Sequence, residues 1–229
     1  MLKQKFILHF SAGILGHLIT ALTGIVVARL AGPEIIGTVA YGVAYVSIFG
    51  FGLGLFGSSH MKLVSEGQNH GNCVKTFTVL QTLNIVLFVL VFTGWLLFQI
   101  FIARHPFQKE QLWVIIIFFI FFTLSQFLSM WQINFSATIE VAKNSIPQLL
   151  QNIAYNSTRI IVVLVGLGAV ALTACNFVGL LVAMPVTLHY VRKLPRGKFD
   201  AILMRRYLSV SFVFLIIAIC GTLITNLGR

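Results

Sequence analysis

Long apolar runs separated by short polar segments dominate the chain. Each run holds about 20 residues or more, the length that a helix rising 1.5 Å per residue needs to cross a ~30 Å hydrocarbon layer. Membrane β-strands would instead show short segments of alternating polarity. The pattern predicts an all-α, polytopic membrane bundle of about seven transmembrane helices, at roughly 6–29, 38–58, 76–102, 112–135, 148–169, 171–191 and 207–227.

The fifth and sixth runs follow one another without a charged residue between them. Their junction at 167–171 reads Leu-Gly-Ala-Val-Ala. Because the combined stretch is too long for one crossing, we expect a tight hairpin there.

Glycine is frequent in the second run. Gly50 and Gly54 have the small-xxx-small spacing that lets two membrane helices approach closely. Ordinary helix packing is the favoured interpretation, and a flexible hinge for a moving lobe is the alternative.

Composition and charge support the membrane class and orient the bundle. Of 229 residues, 58% are apolar and only 9% are charged, whereas soluble domains carry roughly a quarter. With a cytoplasmic N-terminus, eleven of the 16 Lys and Arg residues fall on the cytoplasmic side, four outside and one within a span. The net charge of +11 is therefore a topology signal, and no nucleic-acid partner is expected.

Acidic and cysteine residues give no sign of catalysis or metal binding. The acidic residues all fall in predicted loops or interfaces: Glu34, Glu66, Glu110, Glu140 and Asp200. Magnesium-dependent diphosphate enzymes need clustered carboxylates, and cation antiporters usually need one within a helix. Cys73 in a predicted loop and Cys175 and Cys220 in spans have neither paired spacing nor histidine partners. We expect no catalytic residue, no metal and no cofactor.

Arg159 is the most unusual residue in the predicted spans. It follows Pro147 by 12 residues, which places it roughly 18 Å into the membrane, close to mid-depth. An arginine there costs at least ~2.5 kcal/mol on insertion scales, so it should face a partner or a water-filled cavity. Helical spacing places Gln148, Asn152 and Tyr155 on the same face. The wall of a polar cavity is favoured over an arginine that snorkels or bonds nearby carbonyl groups.

His17, in the first predicted span, is a second candidate. It follows Phe6 by 11 residues, at a depth of about 16 Å. A histidine there can titrate or donate to an anion, and a neutral histidine bonded to a neighbouring helix is an equal alternative. The candidate substrate-binding set is therefore Arg159, His17, Gln148, Asn152 and Tyr155.

The segment 24–37 carries the sharpest motif and reads Gly-Ile-Val-Val-Ala-Arg-Leu-Ala-Gly-Pro-Glu-Ile-Ile-Gly. It resembles the first loop of polysaccharide-biosynthesis flippases, typically ARLLGPEEFG, in the multidrug/oligosaccharidyl-lipid/polysaccharide exporter superfamily. Gly32 would close the first helix, with Pro33 following it. Less sharply, the second span with Lys62–Glu66, the stretch from Lys143 to Arg159 and the basic loop before the seventh span also resemble that family.

The resemblance implies a MATE-like transporter with two lobes of six or seven helices around a cavity that opens alternately to each side. Residues 1–191 would form the N-terminal six-helix lobe, 192–206 a basic cytoplasmic inter-lobe loop, and 207–229 the first helix of a truncated second lobe. The implied activity is translocation of undecaprenyl-diphosphate-linked oligosaccharide across the plasma membrane for O-antigen-type polysaccharide biosynthesis. The implied partners are that lipid-linked oligosaccharide, membrane lipids and the polysaccharide polymerase machinery.

Site roles follow from depth and charge, not from a family motif. Arg159 is expected to attract the diphosphate, and His17 and the Gln148, Asn152 and Tyr155 face to contact sugar or phosphate. Three alternatives stay open. They are a multidrug or cation exporter of the same superfamily, a membrane enzyme acting on prenyl-linked sugars, and a non-transporting truncated membrane protein.

Overall fold

The computed structural model describes residues 2–103, 107–195 and 197–227, apart from the side chains of 2–9, 51, 141 and 218–227. Within these residues the chain forms seven α-helices and no strand, which confirms the predicted all-α class. They are α1 (Leu2–Phe49), α2 (Leu55–Ser65), α3 (His70–Leu97), α4 (Lys109–Ala137), α5 (Val141–Leu164), α6 (Ala169–Val191) and α7 (Ala201–Leu227). Cys220 and five of the basic residues counted above have side chains outside this description, namely Lys3, Lys5, Arg104, Arg196 and Arg229.

Four helical stretches of the described chain are long and apolar enough to cross a membrane. They are Phe10–Phe49, His70–Ile102, Lys109–Ala137 and Ala169–Val191. A stretch of about 20 apolar residues suffices for one crossing. These helices mark the chain as a membrane protein, while the number of seven crossings and the two-lobe arrangement stay predictions.

The bundle has two ends of different character. At one end, which we call the basic end, His70 at the start of α3 lies near Lys143 of α5 and Lys193 after α6, around one cavity. At the opposite end, the first turn of α4 meets the start of α6, where Glu110 Oε1 accepts a hydrogen bond from the Ala169 N–H at 3.2 Å. The helices α3, α4, α5 and α6 therefore run in alternate directions between these ends.

The helix α1 breaks sharply at Gly32. This residue has φ 79° and ψ 167°, and Pro33 follows it directly. A positive φ favours glycine, and proline suits the first position of a new helical segment. The predicted break at Gly32 is confirmed, but the predicted loop over 30–37 is wrong, because the second arm of α1 begins at Pro33.

The second predicted span, 38–58, is divided by a 3₁₀ turn at Gly50–Gly54. The turn frees backbone carbonyl groups that an α-helix would pair. Gln81 Nε2 donates to the Leu53 carbonyl at 2.9 Å, and Asn84 Nδ2 donates to the Gly52 carbonyl at 3.1 Å. Inside a membrane such carbonyls need a partner from the protein, so two amide side chains of α3 hold the break in place.

Glycines let the divided span approach α4 closely. A Cβ atom would press against α4 at three of them: Gly42 against Val114, Gly50 against Phe122 and Gly57 against Ile133. Gly54 is exposed and has open space where its Cβ would be. The predicted close approach through a Gly50–Gly54 pair is therefore wrong, because only Gly50 of the two packs against α4. The 3₁₀ turn rotates Gly54 away from the face that Gly50 shares with Gly42 and Gly57.

The junction of α5 and α6 is the predicted tight hairpin. The helix α5 ends at Leu164 and α6 begins at Ala169. Gly166 between them has φ 76°, a conformation that favours glycine. The hairpin is confirmed, with α5 starting and ending several residues earlier than the predicted span 148–169.

Two helices start earlier than expected because polar side chains cap them. Asn69 Oδ1 accepts from the Asn72 N–H at 3.2 Å, so Cys73 lies buried in the first turn of α3 and not in a loop. Asp200 Oδ1 accepts from the N–H groups of Ile202 and Leu203 at 2.8 and 3.1 Å. Because of this cap, the loop expected over 192–206 ends at Asp200 and α7 begins at Ala201.

Polar contacts fix α7 against α2. His60 Nδ1 and the Tyr207 hydroxyl are 2.7 Å apart, and the His60 ring stacks on Phe77 with 4.3 Å between centroids. Ser59 and Ser211 hydroxyls are also hydrogen-bonded at 2.7 Å. All five side chains are buried, so α2, α3 and α7 share one core at the basic end.

We predict that Gln81→Leu destabilises the protein, whereas Gln126→Leu does not. The first change leaves the buried Leu53 carbonyl without its donor, at a cost of about 1–3 kcal/mol. Gln126 of α4 is half-buried, and no hydrogen bond of its side chain is seen in the described chain. Thermal unfolding in detergent measures both variants, and equal melting temperatures would contradict the role given to Gln81.

Candidate functional site

The helix α5 lies between α1 and α6, and a glycine on each neighbour makes room for it. A Cβ at Gly179 of α6 would lie 2.8 Å from the Gln151 carbonyl oxygen and 3.1 Å from Tyr155 Cβ. A Cβ at Gly16 of α1 would lie 2.9 Å from Asn152 Nδ2. Both glycines are buried, so the polar residues of α5 are brought close to two apolar helices.

A small pocket between α1 and α5 gathers three of the predicted site residues. The cavity has a volume of about 120 Å³ and is lined by His17, Gln148 and Asn152 together with Ala12, Gly13, Ser145 and Leu149. His17 and Gln148 are exposed, and Gln148 Nε2 donates to Asn144 Oδ1 at 3.0 Å. The pocket therefore offers an imidazole and two carboxamides, which both donate and accept hydrogen bonds.

Beyond the pocket, Asn156 continues the polar face. It is 1% exposed, and its Nδ2 donates to the Asn152 carbonyl at 2.8 Å and to the Thr20 hydroxyl at 3.3 Å. Asn156 was not in the predicted set, although it follows Asn152 by one helical turn. Its contacts join α5 to α1, which gives it a structural role beside the pocket.

Arg159 and Tyr155 form the second part of the site. The Arg159 guanidinium carbon lies 5.0 Å from the centroid of the Tyr155 ring, within the range of a cation–π contact. The Arg159 Nε atom is buried and has no hydrogen-bond partner within the described chain. Tyr155 in turn packs against α6 at Gly179. The guanidinium is thus held by an aromatic face and leaves hydrogen-bonding capacity unused.

Arg159 lies nearer the opposite end of the bundle than predicted. The helix α5 starts at Val141, because Ile139 takes φ 57° and ends the preceding turn. Arg159 is consequently about 8 Å before the last residue of α5, and about 10 Å along the helix from Asn152. Four of the five predicted residues lie on one side of α5, and His17 of α1 lines the pocket beside Gln148 and Asn152. The five occupy two levels, the pocket near the middle of α5 and the Arg159–Tyr155 pair beyond it.

Within the described residues, no acidic side chain neutralises Arg159. The ion pairs there all lie at the basic end and are Lys62 with Glu66, Arg206 with Glu66, and Lys143 with Glu140. Glu110 and Asp200 instead accept hydrogen bonds from backbone N–H groups at helix starts. In the same residues no three His, Cys, Asp or Glu side chains group as metal ligands. The chemistry of the site is that of an unneutralised cation beside neutral polar groups.

Comparison with known proteins adds no family assignment. No protein-family model matches the chain, and neither a curated protein nor a solved structure matches it. The first-loop resemblance to flippases therefore stays a prediction. A function has to be argued from the geometry of α1, α5 and α6.

We predict that Gly179→Ala destabilises the protein more than Gly16→Ala does. The first methyl group meets a backbone oxygen, which cannot move aside, and overpacking of this kind costs about 1–3 kcal/mol. The second meets the end of the flexible Asn152 side chain, which can rotate. Thermal unfolding in detergent compares them with Gly13→Ala, where the structure shows open space. A larger loss for Gly16→Ala than for Gly179→Ala would contradict the packing of α5 against α6.

Proposed function

We propose that the chain forms the N-terminal lobe of a MATE-like flippase in the plasma membrane, with the basic end and the N-terminus in the cytoplasm. It moves an undecaprenyl-diphosphate-linked oligosaccharide from the inner to the outer leaflet. The observation that carries the proposal is the polar wall on α1 and α5, in which the pocket of His17, Gln148 and Asn152 is followed by the unneutralised Arg159. In the proposed arrangement this wall faces the cavity between two lobes.

The wall matches the physical problem of moving such a substrate. A diphosphate and its sugars cannot enter hydrocarbon unless their charge and hydrogen bonds to water are replaced. Carboxamides and an imidazole replace the hydrogen bonds of sugar hydroxyl groups, since they donate and accept. A guanidinium replaces hydration of a phosphate with a fork of N–H donors. The two levels of the site thus supply sugar contacts and phosphate contacts about 10 Å apart along α5.

The sign of the charge favours this function over export of organic cations. An Arg side chain without an acidic neighbour repels a cationic substrate and attracts an anionic one. The acidic residues of the described chain are ion-paired, cap a helix or accept from a helix start, except for Glu34, which is exposed beside the break in α1. The observation therefore supports a diphosphate lipid over a cationic drug.

The direct test is translocation in liposomes by the protein purified from its native membrane, together with whatever second lobe it carries or assembles with. The probe is an undecaprenyl-diphosphate-linked monosaccharide with a nitrobenzoxadiazole label, which external dithionite bleaches only in the outer leaflet. With the wild-type chain, we expect bleaching beyond the half that is accessible in protein-free liposomes. Arg159→Ala should slow the additional bleaching about tenfold or more, since a hydrogen bond to a charged group contributes roughly 1.5–3 kcal/mol.

The matched controls separate charge from folding. Arg159→Lys keeps the charge without the fork of N–H donors and is expected to lose less of the rate than Arg159→Ala does. Lys143→Ala removes a positive charge from the same helix, but at its ion pair with Glu140 near the basic end, and is expected to leave the rate unchanged. Bleaching that stops at one half with the wild-type chain would contradict the flippase function, and a wild-type rate for Arg159→Ala would contradict the role of Arg159.

A further inference from the structure

A cavity of about 530 Å³ opens at the basic end, away from the pocket between α1 and α5. Its lining includes Lys75 of α3, Trp131 of α4 and Arg192 directly after α6. Both basic side chains are exposed, and neither has an acidic partner among the described residues. By contrast, Lys62, Lys143 and Arg206 at the same end each pair with a glutamate. The cavity therefore collects two positive charges that the described part of the protein does not neutralise.

A second cavity, of about 500 Å³, continues from the first along α6. It is lined by Leu181, Met184, Pro185, Leu188, His189 and Arg192, so that the two cavities share Leu188 and Arg192. Leu181 is 65% exposed although it is apolar. From Arg192 to Leu181 the lining extends about 16 Å along the helix. Together the cavities form a groove, here called the α6 groove. Its head is the part that holds the two cations, Lys75 and Arg192, and its lane is the apolar part that leads along α6 toward the middle of the bundle.

The rim of the groove is a fixed part of the fold. The loop after α6 is attached to the first turns of α3, where the Lys198 N–H donates to Asn72 Oδ1 at 3.0 Å and the Asp200 N–H donates to Thr76 Oγ1 at 3.2 Å. Gly197 lies so close to the backbone at the start of α3 that a Cβ would overlap it. The head of the groove is thus preformed, which lowers the cost of binding a ligand there.

The α6 groove is separate from the wall on α1 and α5. Gly179 of α6 packs closely on α5. With 100° of rotation per residue, Leu181 and Leu188 lie on nearly the opposite side of α6 from Gly179. A ligand in the groove would therefore contact the outer surface of the bundle, and the groove does not depend on the proposed transport function.

We infer that the α6 groove binds an anionic phospholipid of the leaflet at the basic end, with the headgroup phosphate between Lys75 and Arg192 and one acyl chain on the lane. Arg binds phosphate with a fork of N–H donors and Lys with a point charge, and basic pockets between membrane helices take up anionic headgroups in this way. Among the residues that line the head, Thr78 alone carries a hydroxyl or carboxamide group. Because a glycan would need several such groups, the lining fits a phospholipid better than a sugar-bearing lipid.

Native mass spectrometry of the full chain in detergent tests the inference by titration with dipalmitoyl phosphatidylglycerol and dipalmitoyl phosphatidylcholine. We expect the anionic lipid to bind at least about tenfold more tightly than the zwitterionic one. The double variant Lys75→Ala/Arg192→Ala should lose at least about tenfold in affinity for the anionic lipid. The matched control is Lys193→Ala/Lys198→Ala, which removes two charges from the same end outside the groove and should change affinity less than about twofold.

Two further measurements test whether the double variant loses binding only because it misfolds, and whether the groove binds a soluble anion instead of a lipid. The variant Lys75→Arg/Arg192→Lys keeps both charges and should still bind the anionic lipid more tightly than the zwitterionic one. Dihexanoyl phosphatidylglycerol and inorganic diphosphate, which cannot fill the lane, should bind at least about tenfold more weakly than the dipalmitoyl lipid. Equal affinity for the two dipalmitoyl lipids, equal losses in the two alanine double variants, or displacement of the lipid by equimolar diphosphate would each overturn the inference.

Discussion

A helix as polar as α5 is stable among apolar helices only when its neighbours satisfy its polar groups or leave them facing water. The helix is not among the four that are apolar enough to cross a membrane on their own. Gly16 and Gly179 bring α1 and α6 close to it, and Asn156 joins it to Thr20 of α1. This packing leaves some polar groups unpaired, above all the Nε atom of Arg159. We assign the substrate to these groups.

The same constraint separates structural polar residues from candidate functional ones elsewhere in the bundle. Gln81 and Asn84 pair with carbonyls that the 3₁₀ turn frees, and His60 is hydrogen-bonded to Tyr207. Each of these side chains has an evident partner in another element of the fold. Lys75 and Arg192 have no acidic partner in the described chain and line a groove together. At both proposed sites, a positive charge without an acidic partner in the described chain lies beside a cavity.

Sequence patterns predicted the helical class, the break at Gly32 and the hairpin around Gly166, because each depends on local chemistry: apolar length, a glycine with positive φ and a following proline. They also put His17, Gln148 and Asn152 into one candidate set, but the predicted depths placed His17 level with Arg159, whereas the structure places it beside Gln148 and Asn152. They missed the 3₁₀ turn, whose carbonyls are paired by Gln81 and Asn84 from another helix. They misplaced Arg159 along α5, because the start of that helix depends on the backbone at Ile139. The α6 groove joins residues of three helices and a loop, which no local pattern reveals.

The central claim is that one face of α5 lines water and the other faces lipid. The most direct measurement is the reactivity of single cysteines on α5, in a cysteine-free background, toward membrane-impermeant methanethiosulfonate reagents of either charge. The account predicts that Gln148→Cys and Asn152→Cys react, and faster with the anionic reagent because of Arg159. Ile153→Cys and Ile161→Cys, on exposed apolar positions of the same helix, should not react. Reactivity that is equal on both faces, or absent from Gln148 and Asn152, would contradict the account.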